Sequence, residues 1–127
     1  MQQLMMVTLV VKDYDEAISY YTGNLGFDLI EDTGMGGGKR WVVVAPKGSA
    51  SRLLLAKAKN AREQEAIGNQ TGGRVFLFLH TDDLLRDYHQ WLERGVEFVE
   101  TPREEAYGLV VVFRDLYGNK WDLIQPK

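Results

Sequence analysis

One pattern occurs twice in this chain of 127 residues. Leu4 to Val11 is an apolar run broken only by Thr8, and it reads as a strand covered on both faces. Asp13 follows as a helix N-cap, with Glu16 completing a capping box. Tyr14, Ala17, Ile18, Tyr21 and Leu25 then recur at helical spacing until Gly26 stops the segment. Further on, Arg74 to Leu79 reads as a strand, Asp82 or Asp83 as a cap, and Leu84, Tyr88, Trp91 and Leu92 as one helical face closed by Gly95. Laying Gly95 on Gly26 offsets the copies by 69 residues and matches Asp82 to Asp13, whereas matching Asp83 to Asp13 needs 70. A duplication of this kind confines the chain to folds built from two similar supersecondary units.

Each copy continues in the same way. After Gly26 come strand candidates Phe27 to Glu31, Arg40 to Ala45 and Arg52 to Ala56, separated by turns at Met35 to Gly38 and Pro46 to Ser49. After Gly95 come Val96 to Glu100, Tyr107 to Phe113 and Lys120 to Ile124. The fold class expected is α+β, a single domain of two βαβββ modules at about 4–56 and 74–125. The polar linker 57–73 between them carries a short helix capped by Asn60 and Glu63 and stopped by Gly68. A helix covers one face of each sheet, yet Leu4 to Val11 and Leu109 to Phe113 are apolar at both parities. Curved sheets enclosing a shared concave cavity would remove the second face from water, and such a cleft is a common small-molecule site.

Several function classes fall away on composition. The chain has no cysteine, which removes thiol nucleophiles and thiolate metal sites. Fifteen basic against eighteen acidic residues give a net charge of −3, and no basic cluster exceeds Lys39-Arg40, so no nucleic-acid partner is expected. The apolar runs fall far short of the roughly 20 residues of a membrane span, so no membrane partner is expected. Met1-Gln2-Gln3 lacks the basic region of a secretory signal, which makes the cytoplasm the expected compartment. Gly36-Gly37-Gly38-Lys39-Arg40 imitates a phosphate loop, but Trp41 to Val44 makes the next element a strand, so it reads as a hairpin able to act as a lid. Ser19, Ser49 and Ser51 stand in no nucleophile motif. His80 reads as a strand-end histidine and His89 as exposed on the second helix.

Three stretches together resemble the vicinal oxygen chelate superfamily. These are Val7-Thr8-Leu9-Val10-Val11-Lys12-Asp13 leading into Ala17 to Tyr21 and Leu25-Gly26-Phe27, then Gly95 to Phe98, then Phe113 to Asn119. The last is similar to the family's D-P-x-G-N turn, with Leu116 in place of proline. The family includes glyoxalase I, extradiol dioxygenases, methylmalonyl-CoA epimerase, fosfomycin-resistance proteins and the metal-free bleomycin-binding proteins. Carried over position by position, the resemblance sets the family's metal ligands on Met6, on Val75 or Phe76, and on Asp122. A thioether and hydrocarbon side chains suit a hard divalent ion poorly, and one carboxylate makes no site, so no metal or other cofactor is expected.

The expected function is that of a metal-independent small-molecule binding protein of the glyoxalase/bleomycin-resistance type. Its apolar or aromatic ligand would meet Met6, Thr8, Trp41, Phe76, Phe78 and Tyr107, with Asp122 as polar anchor. Asp122 alternates with Trp121 and Leu123, so it should face the cavity with Lys120 and Ile124. Burial should raise its pKa unless Lys120 or Arg114 pairs with it. The alternative is a glyoxalase-like lyase or dioxygenase holding a divalent metal at a non-standard site, such as His80 with Asp122. A third reading is a vestigial cavity in a domain that only associates with partners. The resemblance also implies a homodimer.

Overall fold

A computed structural model describes residues 1–127. The chain forms two compact units, Met1–Ile67 and Gly68–Lys127.

In the first unit, strand β1 (Met6–Val11) leads into helix α1 (Tyr14–Ser19), a π-helical turn (Tyr20–Asn24), strands β2 (Asp28–Gly36), β3 (Lys39–Ala45) and β4 (Arg52–Lys57), and helix α2 (Ala61–Ala66). The sheet order is β1-β4-β3-β2, with β1 and β4 parallel and the other pairs antiparallel. Asp13 caps α1 by accepting the Glu16 N–H at 2.9 Å, and Asn60 caps α2 by accepting the Glu63 N–H at 2.9 Å, as the capping patterns predict. The turn Gly37-Gly38 has φ of +64° and +82°, the pair of positive angles that a two-residue hairpin between right-twisted strands requires. Alternation divides the sheet. Leu9, Leu55, Val42 and Val44 are buried beneath α1, which contributes Tyr14 and Ala17, while Thr8 and Leu54 share the opposite face.

The second unit holds β5 (Leu77–His80), α3 (Leu84–Glu93), β6 (Glu97–Phe98), β7 (Arg103–Glu105), β8 (Gly108–Arg114) and β9 (Lys120–Pro126). Its sheet runs β5-β9-β8-β6, with β7 also paired to β8. Asp83 is the N-cap of α3, accepting the Arg86 N–H at 3.1 Å, which sets the helix caps of the two copies 70 residues apart. Leu84 and Trp91 pack under the sheet, where Trp91 meets Phe113 edge-on at 5.1 Å and Phe113 stacks on Trp121 at 5.6 Å.

Four local expectations are revised. The first strand starts at Met6, and Leu4 and Met5 are exposed. Arg74 and Val75 precede β5, which extends instead to His80. Only Glu97 and Phe98 of the stretch Val96 to Glu100 are strand, because Glu100 turns back to accept the Val112 N–H at 3.1 Å through its side chain. Leu92 is exposed, because a face centred on Leu84 and Trp91 leaves it at the rim.

Candidate functional site

On the first unit, the ends of β3 and β4, the Gly37-Gly38 turn and the start of α2 surround a hollow of about 530 Å³. Thr8, Trp41 and Leu54 line it from the sheet and Tyr14 from the helix. One side is built by Arg40. Its guanidinium lies 5.1 Å from the Tyr14 ring centroid, its backbone N–H donates to the Tyr14 hydroxyl at 3.2 Å, and its side chain pairs with Asp32 at 2.7 Å and Asp15 at 3.0 Å. The Arg40 hydrogen bond holds the Asp32 carboxyl below the usual carboxylate range and raises the arginine's own pKa. Arg40 therefore ties the hairpin to α1 through the Asp15 carboxylate and the Tyr14 ring, while Asp32 on β2 holds it within the hairpin.

On the second unit, Arg74, Val75, Phe78 and Asp122 line an open hollow of about 510 Å³. Asp122 lies on the face of β9 opposite buried Trp121 and Leu123, and β5 sets Phe78 directly beside it. Phe78 is 67% exposed, a large apolar ring facing water. Oδ1 of Asp122 is buried and accepts no hydrogen bond. Burial pushes the Asp122 carboxyl above its ordinary value, Arg103 counters this and Glu100 adds to it. Neither cation anticipated as its partner is engaged with it, for Arg114 pairs with Glu97 at 2.7 Å. Arg103 is itself taken by Glu100 and Glu105.

The raised pKa gives a prediction with a definite sign. The charged carboxylate opposes folding at neutral pH, and the penalty is relieved as pH falls through the folded-state pKa towards the ordinary value of about 3.9. Asp122→Asn is therefore expected to melt above the parent at pH 7, with the gap closing on acidification. A gap that stays constant with pH would mean that the carboxylate is fully hydrated.

Thr8 and Trp41 thus share the first unit's hollow, and Phe78 and Asp122 share the second's. Met6 precedes Thr8 by two residues on β1, hence on the same face, and Phe76 stands just before β5, its N–H donating to the Lys120 carbonyl at 2.8 Å. Tyr107 lies apart from both hollows and is half exposed. Lys39, weighed in the sequence only as part of a phosphate-loop imitation, and Lys57 and Lys59, which the sequence patterns did not single out, also line the first hollow. Strand-end lysines look like ordinary solvated residues until the chain is folded.

The metal positions do not fit an ion. Met6 and Phe76 offer no hard donor, and nowhere do three His, Asp or Glu side chains gather as a metal would require. His80 pairs with Ile124, one alternate position along from the Phe78–Asp122 pair, so this face adds a single imidazole to the carboxylate.

Comparison with known proteins agrees with this architecture. An uncharacterized protein of Shewanella frigidimarina is 56% identical over 126 residues, covering 98% of this chain and 93% of that one. The crystal structure of TnmS3, described as an antibiotic binding protein from Streptomyces sp. CB03234, is 31% identical, covers 100% of this chain and 98% of its own, and superposes with a TM-score of 0.82. UcmS2 is 29% identical over 98% of both chains, with a TM-score of 0.85. No helix is long and apolar enough to cross a membrane. The sequence profile of the Glyoxalase/Bleomycin resistance protein/Dioxygenase superfamily matches residues 3–123, and the chain belongs to that superfamily.

Proposed function

We propose that the protein binds a small apolar or aromatic molecule without the help of a metal and does no chemistry on it. The observation that carries this reading is the first unit's hollow, whose volume of about 530 Å³ suits a small-molecule site and whose sheet side presents Trp41, Leu54 and Thr8. The likeness to TnmS3, described as an antibiotic binding protein, supports the binding of a small molecule. In the second unit, Phe78 offers a stacking surface beside the Asp122 carboxylate that lines the same hollow, which suits a hydroxyl, amide or amine.

N-Phenylnaphthylamine, a neutral aromatic dye that brightens when buried, tests the reading. Saturable binding of one equivalent is expected, and Trp41→Ala should weaken it about tenfold, the loss typical of an aromatic anchor. No saturable binding by the parent protein would overturn the proposal. Metal independence has its own test. After exposure to nickel, zinc, manganese or iron(II) and desalting, elemental analysis is expected to find well under one equivalent bound. One retained equivalent that Asp122→Ala removes would instead favour a metal-dependent enzyme.

We further infer a homodimer, because Phe78, Leu29 and Ile30 leave large apolar side chains in water. Light scattering at tens of micromolar is expected to give twice the chain mass.

A further inference from the structure

The hollow of the first unit is lined by an excess of positive charge, opposite in sign to the chain's net charge of −3. Its charged lining is Lys39, Arg40, Lys57, Lys59 and a single carboxylate, Glu63. Glu63 is already engaged: its carboxylate accepts from the Lys59 N–H at 3.2 Å and the Asn60 side-chain amide at 3.4 Å, and it stands 3.9 Å from the Lys59 ammonium. Arg40 is neutralised by Asp15 and Asp32. Lys39 and Lys57 pair with no carboxylate.

The strands bring these two lysines to one end of the sheet. Lys39 opens β3 and Lys57 ends β4. Continued past the ladder, the β3–β4 register sets Lys39 opposite Ala58, so by alternation the side chains of Lys39 and Lys57 leave opposite faces of the sheet at this end, and the hollow meets both at the rim. Trp41 follows Lys39 by two residues and so lies on the same face of β3. A flat aromatic surface and two uncompensated ammonium groups therefore border one hollow. That combination favours a ligand with negative charge at one end and an apolar body at the other.

We propose that this hollow takes an amphiphilic anion, its carboxylate or sulfonate head seated between Lys39 and Lys57 and its flat apolar body against Trp41. The inference rests on the binding-protein reading and adds the ligand's charge to it. Glu63 and the two carboxylates on Arg40 are occupied, so the anion meets no free acidic group in the lining. Both lysines are exposed, so their pull is moderate and sensitive to salt.

Anilinonaphthalenesulfonate and N-phenylnaphthylamine share one aromatic skeleton and differ in the sulfonate, so a matched fluorescence titration isolates the charge. The parent is expected to bind the sulfonate about fivefold or more tightly than the neutral dye at low salt, with the preference shrinking as salt is added. Lys39→Gln combined with Lys57→Gln should erase the preference, bringing the sulfonate's affinity down to that of the neutral dye. A thermal melt of the double variant reports that it is folded. Equal binding of both dyes by the parent, or a preference that survives the double substitution, would overturn the anionic class while leaving an apolar site. If neither dye binds, the binding-protein reading falls and this inference with it.

Discussion

Asp115→Ala is expected to lower the melting temperature by about 10–15 °C, the thermal equivalent of about 3–5 kcal/mol for a chain of this size. Asp115 is 5% exposed and organises the turn that the family resemblance picked out. One carboxylate oxygen accepts the N–H groups of Tyr117 and Asn119, each at 3.0 Å. The other accepts the Asn119 side-chain amide at 3.0 Å and the Trp121 indole N–H at 3.3 Å. Alanine leaves these donors facing a space from which water is largely excluded, and each orphaned donor is costly. Asp115→Asn keeps one acceptor and should lose less. A melt of Asp115→Ala within about 3 °C of the parent would show that water replaces the carboxylate and that the turn does not depend on it. The turn matters to the site because β9 begins directly after it, and β9 sets the Asp122 side chain beside Phe78.

Gly108→Ala should cost about 2–4 kcal/mol through two separate effects, backbone strain and a steric clash. Its φ of +146° lies where side chains are rarely tolerated, and an added Cβ would stand 2.1 Å from the Gln125 carbonyl oxygen and 2.9 Å from the Pro126 Cα. Both obstacles are backbone, so no rotamer change relieves them. Gly108 joins two ladders, facing Pro126 on β9 and Glu105 on β7. The expected result is a lower urea midpoint together with faster amide exchange along Arg103–Glu105 and the end of β9. An unchanged midpoint would mean that the β8–β9 edge can part by an ångström or more without loss.

The features legible in the sequence are those decided within a few residues of each other. Caps at Asp13 and Asn60 depend on a side chain reaching an N–H three positions on, and the Gly37-Gly38 turn depends on its own two φ angles. Strand alternation likewise showed that Asp122 would face away from Trp121 and Leu123. The duplicated pattern then restricted the arrangement of these elements to two similar modules. The tertiary structure decided whatever depends on register between distant segments. It chose Asp83 over Asp82 as the second cap, and it made a strand of Arg103–Glu105, which has no apolar alternation and is held by its ladder to β8. It also kept Arg114, one of the two cations that could have paired with Asp122, on Glu97, and gathered Lys39, Lys57 and Trp41 around one hollow. Charges and pockets of this kind arise from residues tens of positions apart, whose proximity is set by strand pairing and packing, and no local periodicity carries that information.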